Sequence, residues 1–157
     1  GAEGKALRQP HETMETLTTL STMERILLLR RVPLLDGLSP SDLQRVAAIA
    51  DEQNFTDVEL LCEQGEAGTE MFVIVSGKVR VVVNDEKEIA RRAAGDVIGE
   101  MAILSGVARS ASVIADGDVR AIRLDQLSFE SLLRERPEVS LAVMRVLCNR
   151  LRELTIF

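Results

Sequence analysis

The spacing at which apolar residues recur changes twice along this chain, and that double switch limits the architectures open to it. Up to about residue 53, and again after Asp125, apolar side chains fall at helical intervals. Between Phe55 and Leu124 they form short apolar or alternating runs, broken by turn-forming residues about every 8–12 positions, which is the pattern of an antiparallel barrel or sandwich. The chain therefore predicts an α+β fold: an antiparallel β-roll, jelly-roll-like or double-stranded β-helix in character, flanked by N-terminal and C-terminal helices. Its 157 residues, 46% of them hydrophobic, supply one core of ordinary size. The expected organisation is a tail over 1–20 and a single domain over 21–157, with helices over 21–53, the roll over 54–125 and helices over 126–157.

Local signals refine this plan. Ser21 and Glu24 have the spacing of a capping box ahead of Ile26, Leu27 and Leu29, predicting a helix that runs to about Arg31 and ends before Pro33. Met14, Leu17 and Leu20 form a weaker helical pattern upstream. Ser39 followed by Pro40 opens a second helix whose Leu43, Val46, Ala47 and Ala50 share a face, with its end near Gln53. Met71 to Val75 reads as a buried strand, Asn84-Asp85 and Asp116-Gly117 as hairpin turns, and Gly65, Gly68 and Gly77 as bends. Leu127, Leu132 and Leu133, then Val143, Val146, Leu147, Leu151 and Leu154 after Pro137, restore the helical spacing. The last stripe reads as core or as the seam of a homodimer, with Arg145, Arg150 and Arg152 facing solvent or a partner. Cys148 beside it reads as a small buried hydrophobe, Cys62 as a strand residue, and Arg91-Arg92 as a solvated pair.

Composition removes several function classes. A net charge of −6 argues against direct nucleic-acid binding, which needs clustered cations. One histidine, His11 in the polar tail, cannot assemble a metal site or a Ser-His or Cys-His nucleophile, so an enzyme of the metal-binding cupin type is disfavoured and no metal or cofactor is expected. Two cysteines in dissimilar contexts read as a reducing, cytoplasmic setting, and no apolar run is long enough to span a bilayer. Starting Gly-Ala-Glu-Gly without methionine, the chain reads as a piece of a longer protein.

The densest chemistry lies in Gly95–Val113, GDVIGEMAILSGVARSASV. A phosphate needs a cluster of backbone N–H donors and one fixed cation. The turn and short helix beginning Gly99-Glu100-Met101-Ala102 supply the former, and Arg109, whose planar fork meets two oxygens, supplies the latter. Glu100 would repel a phosphate it faced, so it suits a neutral sugar hydroxyl and helps to orient Arg109; the alternative is a plain Arg109–Glu100 ion pair in an unused pocket. Ser110 and Ser112 flank Ala111 on a predicted strand, which puts both hydroxyls on one face.

Gly99-Glu100-x-Ala102-Ile103 followed by Arg109-x-Ala111-Ser112-Val113 resembles the phosphate-binding cassette of cyclic nucleotide-binding domains, of the catabolite-activator and protein-kinase regulatory-subunit type. The Gly65/Gly68 turn, Met71–Gly77 and Gly95-Asp96 extend the resemblance over about residues 32–154. It implies a regulatory, non-enzymatic sensor of cAMP or cGMP. Glu100 would hold the ribose 2′-hydroxyl and Arg109 the cyclic phosphate. Backbone amides around Gly99, Glu100, Met101, Ala102 and Ala111 would complete the cradle, beside Ser110, and Ser112, where many members have Thr, would reach a guanine amino group or the phosphate, leaving cAMP and cGMP both open. Ala108 stands in place of a common proline. The last helix would cover the base through Arg150, Leu151 or Phe157 and relay occupancy to an effector domain. The Thr22–Leu34 run is similar to that of nucleotide domains appended to larger bacterial proteins, some of them in membranes. The same resemblance admits a member that no longer binds nucleotide and serves as an interaction or dimerisation module.

Overall fold

The computed structural model describes residues 19–155; His11, Met14, Leu17 and Phe157 lie outside them. Two long strands form its spine. β3 (Glu70–Val83) and β6 (Ser112–Asp125) pair antiparallel along their whole length, from Glu70 opposite Asp125 to Val82 opposite Ser112. Each then takes shorter partners along its free edge. β6 pairs with β1 (Asp51–Phe55) and β2 (Leu60–Cys62), while β3 pairs with β4 (Lys87–Ala93) and β5 (Val97–Ile98). The ladder bends where Gly77 of β3, at φ +94°, lies against Asp118 and Val119 of β6, with register shifts on both sides of Ser76. An added Cβ at Gly77 would strike the Asp118 carbonyl, so the bend requires glycine twice over, for its backbone and for its closeness.

The alternation of β3 gives each of its faces a separate core. Phe72 and Ile74 point into the roll with Phe55, Leu61, Cys62, Val79, Ile98, Val113 and Ala115. Phe55 and Phe72 meet edge to face there, their ring centroids 5.7 Å apart. Met71 and Val73 point the other way, into the helical layer, where Leu29, Leu34, Leu43, Val46, Phe129, Leu132 and Val139 close over them. Met71 to Ile74 are wholly buried, as the apolar run predicts.

The helices begin where their caps direct. Ser21 and Glu24 form the reciprocal capping box of α1 (Thr22–Leu29), and Ser39 accepts the Asp42 N–H with Pro40 first in α2 (Pro40–Ile49). A 3-10 turn, Pro33–Leu35, joins them. A single helical turn, α3 (Ala102–Ser105), sits between β5 and β6, and Asp125 caps α4 (Gln126–Glu135) by accepting the Ser128 N–H at 2.9 Å. α5 (Pro137–Leu154) then packs against the 3-10 turn and α4.

Several boundaries differ from the sequence expectation, each for a tertiary reason. α1 stops at Leu29, short of Arg31, where the Arg31 and Val32 N–H groups turn to the Leu28 and Leu29 carbonyls ahead of the 3-10 turn, and α2 stops at Ile49, short of Gln53, because Asp51–Phe55 extends to pair with β6; the roll thus starts at 51 rather than 54. Leu20 is buried, and its N–H donates to Glu52 at 2.9 Å, so the folded unit includes a residue assigned to the tail. Asn84 and Asp85, both at positive φ, do turn the β3–β4 hairpin, but Asp116-Gly117 lies inside β6, where the chain bends without reversing. Cys62 is buried as predicted. Cys148 is exposed: along α5 Val139, Ala142 and Val143 are buried and Leu147 still packs half-buried on the core, whereas Cys148, Leu151 and Leu154 are exposed.

Candidate functional site

The segment from Gly106 to Ser112 is pinned along the β2–β3 loop. The Gly65 N–H donates to the Arg109 carbonyl at 2.9 Å, the Arg109 N–H to Glu66 at 2.7 Å and the Gly68 N–H to Val107 at 3.1 Å. This lacing fixes the backbone of Arg109, and its side chain is fixed in turn. The guanidinium donates to the Glu70 carbonyl and lies directly against Gly99, where any side chain would collide with it. Gly99 stands at φ +74°, so both its backbone and its bareness serve the arginine. Among the described residues no carboxylate lies within ion-pairing distance of Arg109.

Arg109, Gly99 and Ser110 form the wall shared by two hollows. The inner one, about 200 Å³, opens into the roll and is lined by Cys62, Val81, Val97, Ala111 and Val113, with Arg92. The outer one, about 400 Å³, is lined by Glu100, Met101, Ala102 and the α3–β6 loop. Burial pushes the Cys62 thiol up, against the opposing pull of the Arg109 charge, which keeps the inner wall apolar. The arrangement thus offers a fixed cation at the junction of an apolar hollow and a polar rim, a geometry suited to a small ligand with an anionic end and a flat apolar body.

Glu100 does not pair with Arg109. Its Oε2 accepts the Leu34 N–H of the 3-10 turn at 3.0 Å, and its Oε1 meets Arg150 of α5 at 3.0 Å. A second N–H of Arg150 reaches the Met101 sulfur at 3.3 Å. The expected orientation of Arg109 by Glu100 is therefore replaced by a link from the cassette to both helical flanks. The reason is distance along the fold: the 3-10 turn and α5 are packed together over the cassette, where sequence spacing could not put them. Of the three residues predicted to cover the base, Arg150 is the one that reaches the cassette; Leu151 is exposed and Phe157 is not described.

The small residues divide as well. Ala102 lines the outer hollow, but its N–H is already taken by the Gly99 carbonyl at 3.1 Å. Ser110 lines both hollows and Ala111 the inner one. Ser112 lines neither: it is buried and its hydroxyl accepts the Gln64 N–H at 2.9 Å. Ser110 precedes β6 instead of lying on it, so the strand alternation that would have put both hydroxyls on one face does not extend to it. Arg91 and Arg92 are both exposed, as the solvated-pair reading has it, but sequence reasoning missed that Arg92 also lines the inner hollow. β4 pairs with β3 so that Arg92 opposes the buried Val79 and Arg91 opposes Arg80; Arg92 shares the inner face, and Arg91 turns outward to Glu88 and Asp116. The alternation Ala90, Arg92 against Val81, Val79 was the available signal.

Comparison with known proteins agrees with this geometry. Residues 52–136 match the family model described as "Cyclic nucleotide-binding domain". The chain is 32% identical over 106 residues to a cAMP-dependent protein kinase regulatory subunit of Colletotrichum orbiculare, covering 67% of this chain and 27% of that one. It is 30% identical over 146 residues to lysophospholipase NTE1 of Cryptococcus neoformans, covering 91% of this chain and 9% of the other, so it spans only a minor part of these relatives. Among solved structures, the N-terminal domain of a transcriptional regulator from Streptomyces coelicolor superposes with a TM-score of 0.75 at 27% identity, over 82% of this chain and 94% of that one. With the family model covering more than half of its length, and an antiparallel roll with a pinned arginine in its cassette, the chain belongs to the cyclic nucleotide-binding domain family.

Proposed function

We propose that this domain is a sensor that binds a cyclic nucleotide, cAMP or cGMP, in the cleft between β3, β4 and the 99–111 cassette. The observation that carries this reading is Arg109: a guanidinium held by its own backbone lacing and by the Glu70 carbonyl, facing a hollow with no carboxylate to neutralise it. A cyclic phosphate supplies the missing charge in bidentate form, and the apolar inner wall takes the flat base. Glu100 takes the ribose hydroxyl. A carboxylate has about four lone-pair sites, and two are used here, by Leu34 and Arg150, so it can accept another donor.

That same carboxylate supports a route for the signal. It touches the 3-10 turn and α5 at once, so a hydroxyl arriving at Glu100 redistributes its bonds to both and favours one arrangement of α5 over another. The differential affinity of ligand for the two arrangements is what transmits occupancy. The domain itself carries no reaction in this reading. It regulates an effector within a longer cytoplasmic or membrane-associated polypeptide, a view supported by relatives several times longer than the stretch they share with it.

Calorimetric titration of the chain with cAMP and with cGMP tests the reading. Saturable one-to-one binding of at least one of them is expected, with thermal stabilisation of roughly 2.7 kcal/mol when ligand stands at about 100 times its dissociation constant. Absence of binding by both at millimolar concentration overturns it and leaves an interaction module of the same fold.

A further inference from the structure

Among the described methionines, Met101 alone has a polar partner at sulfur. Met71 is buried in the helical core, and Met23 and Met144 stand exposed with no hydrogen bond at theirs. Met101 is 47% exposed, joins neither apolar core, and its Sδ accepts Nη1 of Arg150 at 3.3 Å. The same guanidinium donates through Nη2 to Glu100 at 3.0 Å. Arg150 therefore ties α5 to the cassette by two bonds of unequal strength, because a carboxylate is a strong acceptor and a thioether a weak one. Met101 also lines the outer hollow, about 400 Å³, which leaves its side chain open to a small solute.

We infer that Met101 is a reversible oxidation site, at which hydrogen peroxide strengthens the hold of the cassette on α5. A sulfur lone pair attacks one peroxide oxygen, so that the S–O bond forms as the O–O bond breaks. Sulfur gives up two electrons, the peroxide is reduced, and the proton of the transferred oxygen passes to the leaving hydroxide, which departs as water. The product is methionine sulfoxide, and methionine sulfoxide reductases reverse the step. Its oxygen is a strong acceptor where the sulfur was a weak one, so the second bond of Arg150 becomes charge-assisted like the first. The consequence for signalling rests on the reading of Glu100 as the ribose contact. A hydroxyl arriving there competes with Arg150 for the carboxylate, but it does not compete for a sulfoxide. Once oxidised, the cassette keeps α5 in place whether or not nucleotide is bound, and occupancy is no longer passed on.

The test is amide hydrogen exchange over α5 and the cassette, in the chain carrying Cys148→Ser so that the exposed thiol plays no part. After mild peroxide treatment, with peptide masses reporting each methionine, exchange over 147–154 in the nucleotide-free chain is expected to slow about tenfold, the effect of one hydrogen bond to a charged group. Methionine sulfoxide reductase with a dithiol restores the original rates. Met101→Leu keeps the apolar bulk and leaves the other methionines to react, and should show no slowing on peroxide treatment; Arg150→Gln should be equally indifferent to it. With cAMP or cGMP added, exchange over α5 changes in the reduced chain and stays fixed in the oxidised one. The inference fails if Met101 stays unoxidised while Met23 and Met144 react, if oxidation leaves exchange over α5 unchanged or speeds it, or if the slowing persists in Met101→Leu. Absence of nucleotide binding by the reduced chain overturns the cyclic-nucleotide reading and the signalling consequence with it, while exchange in the nucleotide-free chain decides the oxidation-dependent tie separately.

Discussion

Arg91 and Arg92 are neighbours in the chain and opposites in the fold. On the outer face of the roll Arg91 donates to Glu88 at 3.0 Å and to Asp116 at 2.8 Å, and both carboxylates raise its guanidinium pKa above the ordinary value. Arg123, on the edge facing β1, is gripped by Asp51 and Glu70 and raised in the same way. On the inner face, Arg92 and Arg109 have backbone carbonyls for partners and no carboxylate. The chain carries 25 acidic residues against 19 basic ones, so acids are not scarce. Arg91 and Arg123, which tie neighbouring strands together, both have their counter-ions. At the mouth of the roll the fold supplies none, and a structure that leaves charge uncompensated at a concave, partly apolar surface is prepared for an anionic or acceptor-rich ligand.

Exchanging the two roles by mutation is the direct way to break this contrast. Arg109→Ala removes the cation at the phosphate end and is expected to weaken cyclic-nucleotide binding by roughly 2–5 kcal/mol, while unfolding changes less because the side chain gives the fold one hydrogen bond, to Glu70, and its packing against Gly68 and Gly99. Titration and thermal melting on the same preparation separate these effects; equal losses in both would make Arg109 a structural residue. Arg123→Ala should show the reverse. It releases two half-exposed carboxylates that tie β1, β3 and β6 together, and should cost about 1–2 kcal/mol in denaturant unfolding, with nucleotide affinity changed by less than about threefold. A large loss of affinity there, with stability intact, would mean that Glu70 couples the outer network to Arg109.

The two faces were not equally legible in the sequence. Features set by neighbours in the chain could be read directly: the Ser21 and Ser39 caps, the run Met71–Val75, the Asn84-Asp85 turn, and the spacing of Glu100 from Arg109. What failed depended on register between distant segments. Asp51–Phe55 has neither the alternation nor the composition of a strand, and becomes one because β6 offers it a ladder together with Arg120 and Arg123. Asp116-Gly117 has the form of a hairpin turn, yet pairing with β3 on both sides of it keeps the strand continuous. Ser112 was put on one ligand-facing side with Ser110 by a strand alternation that starts only at Ser112 itself, and Arg150 was expected to face solvent or a partner, or to cover the base, rather than to grip Glu100. Arg92 was legible in principle, since alternation against a buried Val79 is a local rule, but only after β4 had been paired with β3 in the right register.

The smallest expected effect tests the contrast most finely, because it compares residues one position apart. Arg91→Ala removes a guanidinium that is exposed and fully served by Glu88 and Asp116. Exposed pairs of this kind contribute little, since solvent screens the attraction and ordering the side chains costs entropy. The melting temperature should therefore stay within experimental error, and so should cyclic-nucleotide affinity. Any general gain from positive charge near an anionic ligand would be shared by Arg91 and Arg92, whereas direct contact with a ligand in the inner hollow is open only to Arg92, which lines it. If Arg91→Ala and Arg92→Leu shift nucleotide affinity alike, the effect belongs to the charge of strand β4 as a whole, and the facing direction that distinguishes the two arginines has no bearing on binding.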